Sequence, residues 1–160
     1  MKKLLSISRL KKIIQEQKKK GKRVVLANGC FDLIHAGHIR YLREAKGQGD
    51  ILVVALNSDS SVRKLKGEGR PILNQKERVE IVSSFSFVDH LTTFKEINVE
   101  KVLLALKPDI HAKGSDYTMD TVPEKETVKS YGGAVVIVGG AKINSTSEII
   151  KRMLQKQDKG

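Results

Sequence analysis

The sequence has few cysteine, proline and aromatic residues and no long apolar run, and these shortages exclude several classes of protein. One cysteine in 160 residues excludes an intrachain disulfide, whereas three prolines and 39% hydrophobic residues fit a folded chain and not a disordered one. No apolar run approaches the ~18 residues that a membrane-spanning helix needs. We therefore expect a cytoplasmic protein that does not bind membranes.

Acidic residues are scarce at the amino end of the chain. Residues 1–23 hold ten Lys or Arg and one acidic residue, Glu16, so they account for +9 of the formal net charge of +12. Five residues of this segment recur on one helical face: Ile7, Leu10, Ile13, Ile14 and Gln17. We therefore expect residues 1–22 to form an amphipathic basic helix, packed on a domain of residues 23–160 with its lysines in solvent.

Apolar segments recur along the rest of the chain. Five of them have strand character, at residues 24–27, 51–56, 87–91, 109–113 and 134–138. Helices are expected between them, including residues 96–106 and 122–131, and a mobile basic loop is expected at residues 62–71. The alternation predicts an α/β fold with a doubly wound, mostly parallel, five-stranded Rossmann-like sheet and helices on both faces.

Two histidines stand where the first predicted strand meets the helix that follows it. The sequence from Asn28 to His38 is Asn-Gly-Cys-Phe-Asp-Leu-Ile-His-Ala-Gly-His. A helix that begins near Ala36 would bring His35 and His38 to one face of its first turn, where unpaired backbone amides favour an anion. We therefore expect phosphate chemistry at this junction.

Two other interpretations of the histidine pair are weaker. Zinc needs further ligands, and beyond Cys30 the sequence offers only His90 and His111, which form no second pair. We therefore assign no metal ligands to protein side chains. The other interpretation is that both are ordinary surface or capping histidines, and the glycine-rich frame around them argues against it.

Polar segments also follow other predicted strands. They comprise residues 57–59, residues 113–116 and residues 144–147, the last of which supply N-cap side chains for a helix. Because ligands of open parallel sheets bind at the carboxyl ends of the strands, we expect these segments to meet around the histidines.

The order of these motifs resembles that of the His-x-Gly-His nucleotidyltransferase superfamily, which includes cytidylyltransferases and adenylyltransferases. Within it the chain is most similar to the adenylyltransferases of ADP-heptose synthesis, which occur alone or fused to a sugar kinase. The resemblance covers about residues 23 to 154. It rests on residues 28–38, Asn57-Ser-Asp59, Leu65-Lys-Gly-x-x-Arg-Pro71, Glu77-Arg78, Pro108-Asp109, Lys113-Gly-x-Asp-Tyr117, Gly132-Gly133 and Ser145-Thr-Ser147.

The resemblance implies transfer of AMP from ATP, with Mg²⁺, to a sugar 1-phosphate, heptose 1-phosphate being the expected acceptor, for lipopolysaccharide precursor synthesis. It implies catalytic roles for His35, His38 and Lys66. It implies nucleotide binding by Asn28, Gly29, Cys30, Phe31, Asp32, Gly37, Lys113, Gly114, Asp116, Ser145, Thr146 and Ser147. It implies substrate or phosphate binding by Asn57, Asp59, Arg70 and Arg78. Two residues depart from the pattern: Cys30, where a hydroxyl residue is common, and Asn144, where an apolar or aromatic residue is expected.

Two alternative functions stay open. A cytidylyltransferase that acts on glycerol 3-phosphate or a related polyol phosphate is the nearest, because a single sequence does not display the choice of base. A nucleic-acid-binding module that uses the basic helix is more remote, since no aromatic residue lies among its lysines. We expect small-molecule substrates as partners, a separate sugar kinase as a pathway partner and no nucleic acid, and a homo-oligomer is compatible with the sequence.

Overall fold

The computed structural model describes residues 2–141 and 145–157. Its five strands are β1 (Val24–Gly29), β2 (Ile51–Asn57), β3 (His90–Phe94), β4 (Ile110–Gly114) and β5 (Ala134–Val138). The helices of the described residues are α1 (Ile7–Lys19), α2 (Ala36–Gly47), α3 (Asp59–Lys66), α4 (Gln75–Ser83), α5 (Glu100–Leu106), α6 (Lys125–Ser130) and α7 (Thr146–Gln157). None of these helices is long and apolar enough to cross a membrane.

The strands form one parallel sheet in the order β3-β2-β1-β4-β5. The predicted α/β fold with a parallel Rossmann-like sheet is therefore confirmed. Val25 in the central strand pairs with Leu52 of β2 on one side and Ile110 of β4 on the other. Strand order reverses between β1 and β4, and ligand sites of such sheets lie in the crevice at this switch point.

Side-chain alternation along the strands divides the core between the two faces of the sheet. Val25 and Ala27 pack with apolar residues of α2 and α4, whereas Val24 and Leu26 pack with residues of α1 and α5. Strands buried on both faces need apolar residues at every position, which explains the unbroken apolar runs of the sequence.

The amino-terminal helix α1 packs against the sheet as its periodicity predicts. Ser6 caps it by accepting a hydrogen bond from the Arg9 amide, and Leu10 and Ile14 are buried on its apolar face. At its last turn, Nζ of Lys18 donates to the Lys107 carbonyl at 2.8 Å and lies 3.1 Å from the Asp109 carboxylate. The helix therefore belongs to the packed fold through one face and exposes the other.

The structure corrects the predicted bounds of several elements. β3 begins at residue 90, not 87, because residues 85–88 form a turn in which the Val88 amide donates to the Phe85 carbonyl. α5 begins at residue 100, not 96, and α6 covers only residues 125–130 of the expected 122–131.

The predicted mobile loop at residues 62–71 is wrong for its first half. Residues 62–66 belong to helix α3, because Ser58 caps its start by accepting from the Ser61 amide and Val62 is buried. Gly67 then ends the helix with φ +94°, a backbone conformation that favours glycine.

Candidate active site

The cavity at the carboxyl ends of β1 and β4 has a volume of about 580 Å³. The residues predicted for the site line it, except Asp59 and Arg78. The cavity therefore brings together segments separated by more than 100 residues in sequence, from the β1–α2 loop to the start of α7.

His35 and His38 lie together at the start of α2. His35 is the N-cap residue: its Nδ1 accepts from the Gly37 amide at 3.1 Å, and its own amide donates to Nδ1 of His38 at 3.3 Å. The ring centroids are 3.9 Å apart. Because each Nδ1 accepts a backbone N–H, each neutral ring carries its proton on Nε2. The pair thus caps the helix and retains two Nε2–H donors.

Both histidines are uncharged at neutral pH. Burial, assisted by the neighbouring His35 and opposed by Asp32, lowers the pKa of His38 to about 4. Burial also lowers the pKa of His35, and Glu148 opposes that shift. A bound anion would raise both pKa values, because nearby negative charge favours the imidazolium. The pair therefore acts first through hydrogen bonds.

The loop before the histidines has a constrained backbone. Phe31 adopts φ +48°, in the left-handed region that non-glycine residues rarely occupy. Its buried ring lies 5.4 Å from the His38 ring and stacks against Tyr41 at 6.4 Å. A Cβ on Gly29 would lie 3.1 Å from the Phe31 ring, so glycine leaves room for it. Packing of this kind fixes the imidazole of His38 from behind.

Asp32 joins the same loop to the segment that precedes α4. Its carboxylate accepts hydrogen bonds from Nε of Arg70 at 2.8 Å and from the amides of Ile72 and Leu73. Burial alone would raise the pKa of Asp32, but these hydrogen bonds lower it below its ordinary value. Asp32 is therefore an ionised residue that positions Arg70 at the cavity.

Arg78 and Asp59 lie behind the cavity and pair with each other. Arg78 is fully buried, and its guanidinium donates to the carbonyls of Leu73, Cys30 and Asn57 and, at 2.7 Å, to the Asp59 carboxylate. These contacts link β1, β2 and the start of α3. The predicted phosphate contact of Arg78 has no support in this geometry, which instead gives it a role in holding the cavity wall.

Lys66 and Cys30 both line the cavity, but they differ in exposure and in charge. Lys66 is the last residue of α3 and its exposed side chain lines the cavity. Burial raises the pKa of the Cys30 thiol, although Lys66, Arg78 and Arg70 oppose the shift. The thiol is therefore protonated at neutral pH, which fits a lining residue and not a nucleophile.

Lys113 and Glu124 form a buried ion pair within the cavity lining. Nζ of Lys113 lies 3.6 Å from Oε2 of Glu124, with side-chain exposures of 7% and 5%. The same Nζ lies 4.4 Å from the centroid of the Tyr117 ring. Burial lowers the pKa of Lys113, and Glu124 opposes the shift. The charges of Lys113 and Glu124 therefore offset each other within the lining.

The start of α7 closes the other side of the cavity. The Ser145 amide donates to the Glu148 carboxylate and the Glu148 amide donates to Oγ of Ser145, a reciprocal capping box. Oγ1 of Thr146 donates to the Leu33 carbonyl at 3.2 Å, which ties the helix to the β1–α2 loop. The departure at Asn144 lies outside the described residues.

Sequence reasoning missed part of the lining. The cavity is also lined by Tyr41, Leu65, Ile97, Asn98, Tyr117, Pro123, Glu124, Val138, Gly139 and Ala141. Helical spacing could have found Tyr41, which follows His38 by three residues on α2. Nothing in the sequence connects Glu124 with Lys113.

Carboxylates of the cavity do not gather into a metal site. No group of three or more His, Cys, Asp or Glu residues that could hold a metal ion occurs in the described part of the chain. Of the cavity carboxylates, Asp32 accepts from Arg70 and two amides, and Glu124 pairs with Lys113.

Comparison with known proteins identifies a family. Residues 26–155 match the family model described as cytidylyltransferase-like. Bifunctional protein HldE of Pelobacter propionicus is 47% identical over 144 residues, which cover 90% of this chain and 30% of that protein. Bifunctional protein HldE of Geobacter sulfurreducens is 46% identical over 143 residues, 89% of this chain and 29% of that protein. The chain thus spans about 30% of the length of these curated relatives.

Solved structures agree with the sequence comparison. The lipopolysaccharide core biosynthesis protein from Thermoplasma volcanium superposes with a TM-score of 0.65 at 34% identity, covering 78% of this chain and 100% of that one. Pantoate-beta-alanine ligase from Francisella tularensis superposes with a TM-score of 0.61 at 16% identity, covering 90% of this chain and 68% of that one. The second likeness concerns the fold alone.

Proposed function

The chain belongs to the cytidylyltransferase-like family, and we propose that it transfers AMP from ATP to heptose 1-phosphate, releasing pyrophosphate and ADP-heptose. The observation that carries this proposal is the histidine pair at the start of α2, which lines one cavity together with Lys66 and Arg70. The order of the motifs, the identity with the HldE proteins and the likeness to a lipopolysaccharide core biosynthesis protein support it. We further propose that the enzyme works in the cytoplasm, with a sugar kinase supplying its substrate.

The acceptor brings its own nucleophile. A phosphate monoester has a second ionisation near pH ~6, so an oxygen of heptose 1-phosphate is anionic at neutral pH and needs no strong general base. That oxygen forms a bond to the α-phosphorus of ATP while the bond from this phosphorus to the bridging oxygen breaks. The electron pair leaves with pyrophosphate, in line and with inversion.

The protein overcomes repulsion between two anions. Nε2–H groups of His35 and His38 and the amides of the first turn of α2 donate to the α-phosphate as its charge grows. Lys66 and Arg70 attract the β- and γ-phosphates, and hydroxyls at the start of α7 complete the phosphate site. Because each Nδ1 already accepts a backbone N–H, the rings make these contacts as neutral Nε2–H donors.

Magnesium enters as part of the nucleotide substrate. Mg²⁺ prefers phosphate oxygens with one or two carboxylates and retains several waters, so it requires no protein cage. Asp32 and Glu124 already pair with Arg70 and Lys113, which fits an ion held mainly by the triphosphate. We therefore propose Mg²⁺ with ATP and assign it no protein ligand.

Pyrophosphate release across a substrate panel tests the proposal. The four ribonucleoside triphosphates with Mg²⁺ are crossed with heptose, hexose and polyol phosphates, and ATP with heptose 1-phosphate is expected to have the highest kcat/KM. A preference above tenfold for CTP with glycerol 3-phosphate would make the chain a polyol-phosphate cytidylyltransferase. Absence of pyrophosphate with any pair would refute the reaction class.

A further inference from the structure

One buried polar atom of the cavity has no role in phosphate binding. Oε2 of Glu124 is fully buried and accepts no hydrogen bond from the protein groups that the structure describes. Its nearest cation, Nζ of Lys113, lies at 3.6 Å, an ion-pair distance too long for a direct hydrogen bond. A buried acceptor without a donor destabilises a fold, so such an atom in a native cavity indicates a ligand that supplies the missing donor.

The charge of the pair restricts what it can bind. A carboxylate repels phosphate, and Glu124 also cancels most of the attraction that Lys113 alone would exert on an anion. The carboxylate accepts hydrogen bonds and the ammonium donates them, so the complementary ligand group is uncharged and both donates and accepts. A sugar hydroxyl has this property in a single oxygen atom.

The surroundings also suit a sugar. Tyr117 places an aromatic ring beside the pair, with its centroid 4.4 Å from Nζ of Lys113, and Tyr41 also lines the cavity. Lys113 lies one residue before the carboxyl end of β4, the strand beside β1, where the ligand crevice lies. A ring of this kind can cover the apolar side of a sugar while charged groups hold its hydroxyls.

We propose that Lys113 and Glu124 form a hydroxyl-binding subsite that holds a vicinal pair of hydroxyls of a bound sugar ring. The proposal rests on the proposed function, in which both reactants are sugar phosphates: the ribose of ATP and the acceptor sugar each offer such hydroxyls. One hydroxyl donates to Oε2 of Glu124 and its neighbour accepts from Nζ of Lys113. The subsite thus selects a polyhydroxylated substrate and leaves phosphate to the histidine end of the cavity.

Binding measured by calorimetry tests the subsite without requiring turnover. In a ribose arm, the protein is titrated with ATP, 2′-deoxy-ATP and 3′-deoxy-ATP. In an acceptor arm, the protein saturated with α,β-methylene-ATP is titrated with mannose 1-phosphate and its monodeoxy analogues. We expect loss of a hydroxyl to weaken binding at least tenfold in one arm, and that arm identifies the sugar.

The variant Glu124→Gln connects the loss to the subsite. It should bind the complete ligand at least tenfold more weakly and discriminate against the deoxy ligand by no more than about twofold. Glu126→Gln removes the same charge from an exposed position in the first turn of α6, two residues after Glu124, and should behave as the parent chain. Glu124→Asp, which keeps the charge and withdraws it by one methylene, provides the comparison if the glutamine variant unfolds.

Three results would overturn the subsite. The first is that the parent chain binds every deoxy ligand as well as the complete ligand. The second is that the parent chain and the Glu124 variants discriminate equally against the deoxy ligands. The third is a Glu124→Gln variant that no longer discriminates between ATP and inosine triphosphate but still discriminates between ATP and its deoxy analogues. The last would assign Glu124 to the base. Failure of the proposed reaction would appear separately, as ATP binding without pyrophosphate release.

Discussion

Helix α1 and the cavity both contain Lys and Arg side chains, and they use positive charge in opposite ways. Residues 1–23 carry ten Lys or Arg, most of them exposed, and the fold uses the apolar face of the helix. The cavity has few cations, and two of them are paired: Arg70 with Asp32 and Lys113 with Glu124. Its central histidines are neutral.

An anion site is created by the position of its hydrogen-bond donors, and not by the amount of positive charge nearby. An exposed lysine interacts with an anion through high-dielectric solvent and gains little. A donor held by the fold costs no reorganisation when charge develops next to it. Net charge therefore directs attention to α1, whereas chemistry is expected at the start of α2. Four substitutions test this contrast between α1 and the cavity.

The largest effect is expected from His38→Ala. Removing one fixed donor from a preorganised anionic site typically costs ~10²–10³ in turnover, about 3–4 kcal/mol, while ATP binding should stay within roughly tenfold because the amides and cations remain. Steady-state kcat and calorimetric ATP affinity measure the two effects. His38→Asn, which can still accept from the His35 amide, should be equally slow if catalysis and not capping is lost. Loss of ATP affinity with normal kcat would contradict the proposed role.

Leu10→Ala is the corresponding substitution in α1, and it removes a side chain that packs the helix on the sheet. Leu10 is fully buried on the apolar face, and truncating a buried leucine costs about 2–5 kcal/mol of unfolding free energy. Urea unfolding should show this loss, whereas kcat of the folded variant should not change. Lys12→Ala, on the exposed face, should change neither quantity. A large fall in kcat for Lys12→Ala would show that the lysines of α1 take part in the reaction.

Lys66→Ala and Lys64→Ala compare, within helix α3, a lysine that lines the cavity with one that does not. Both residues lie in the last turn of α3 and both are exposed, but only Lys66 lines the cavity. Solvent screens Lys66, so we expect a smaller loss than for His38, about 10–100-fold in kcat/KM, with an unchanged melting temperature. Lys64→Ala should retain full activity. Equal losses in the two variants would mean that general charge, and not position, draws the nucleotide.

Local patterns in the sequence were sufficient to predict the parallel sheet and most of the cavity. Glycines, N-cap residues and apolar runs act over a few residues, and polar segments that follow strands must meet at one edge of the sheet. The start of α2 at Ala36, which puts His35 and His38 side by side, followed from such local information.

What the sequence did not reveal depends on contacts between distant segments. Arg78 was expected at phosphate, yet it donates to the carbonyls of Cys30, which follows β1, and of Asn57 in β2. Glu124, just before α6, meets Lys113 of β4 only in the folded chain. The basic stretch after Val62 suggested a mobile loop, since one buried valine and one serine cap are weak local signals of a helix. Partners of this kind become visible only in the fold.

The smallest expected effect is a pH dependence of the free energy of unfolding. It arises from the buried neutral histidines and not from the exposed lysines of α1. Burial lowers the pKa of His111 to about 3, with a further contribution from Lys113, and that of His38 to about 4. An unfolded histidine binds a proton as the pH falls through ~6.5, whereas these two stay neutral in the folded chain. The unfolded state therefore binds more protons, and the free energy of unfolding falls as pH is lowered from ~6.5 towards 4, by about 1.4 kcal/mol per unit for each group.

His111→Gln should remove one of the protons that the unfolded chain takes up as the pH falls. The ring of His111 is fully buried, with Nε2 3.0 Å from Oδ1 of Asn28 in the cavity wall, and a glutamine amide can supply the same donor without titrating. Urea unfolding at pH 7 and pH 5 should show that the variant loses about 2 kcal/mol less than the parent over this interval. Lys12→Ala should reproduce the parent profile. Parallel profiles for the parent and His111→Gln would mean that His111 already takes up its proton in the folded chain, and the contrast between a neutral cavity and a charged helix would then fail at its most buried residue.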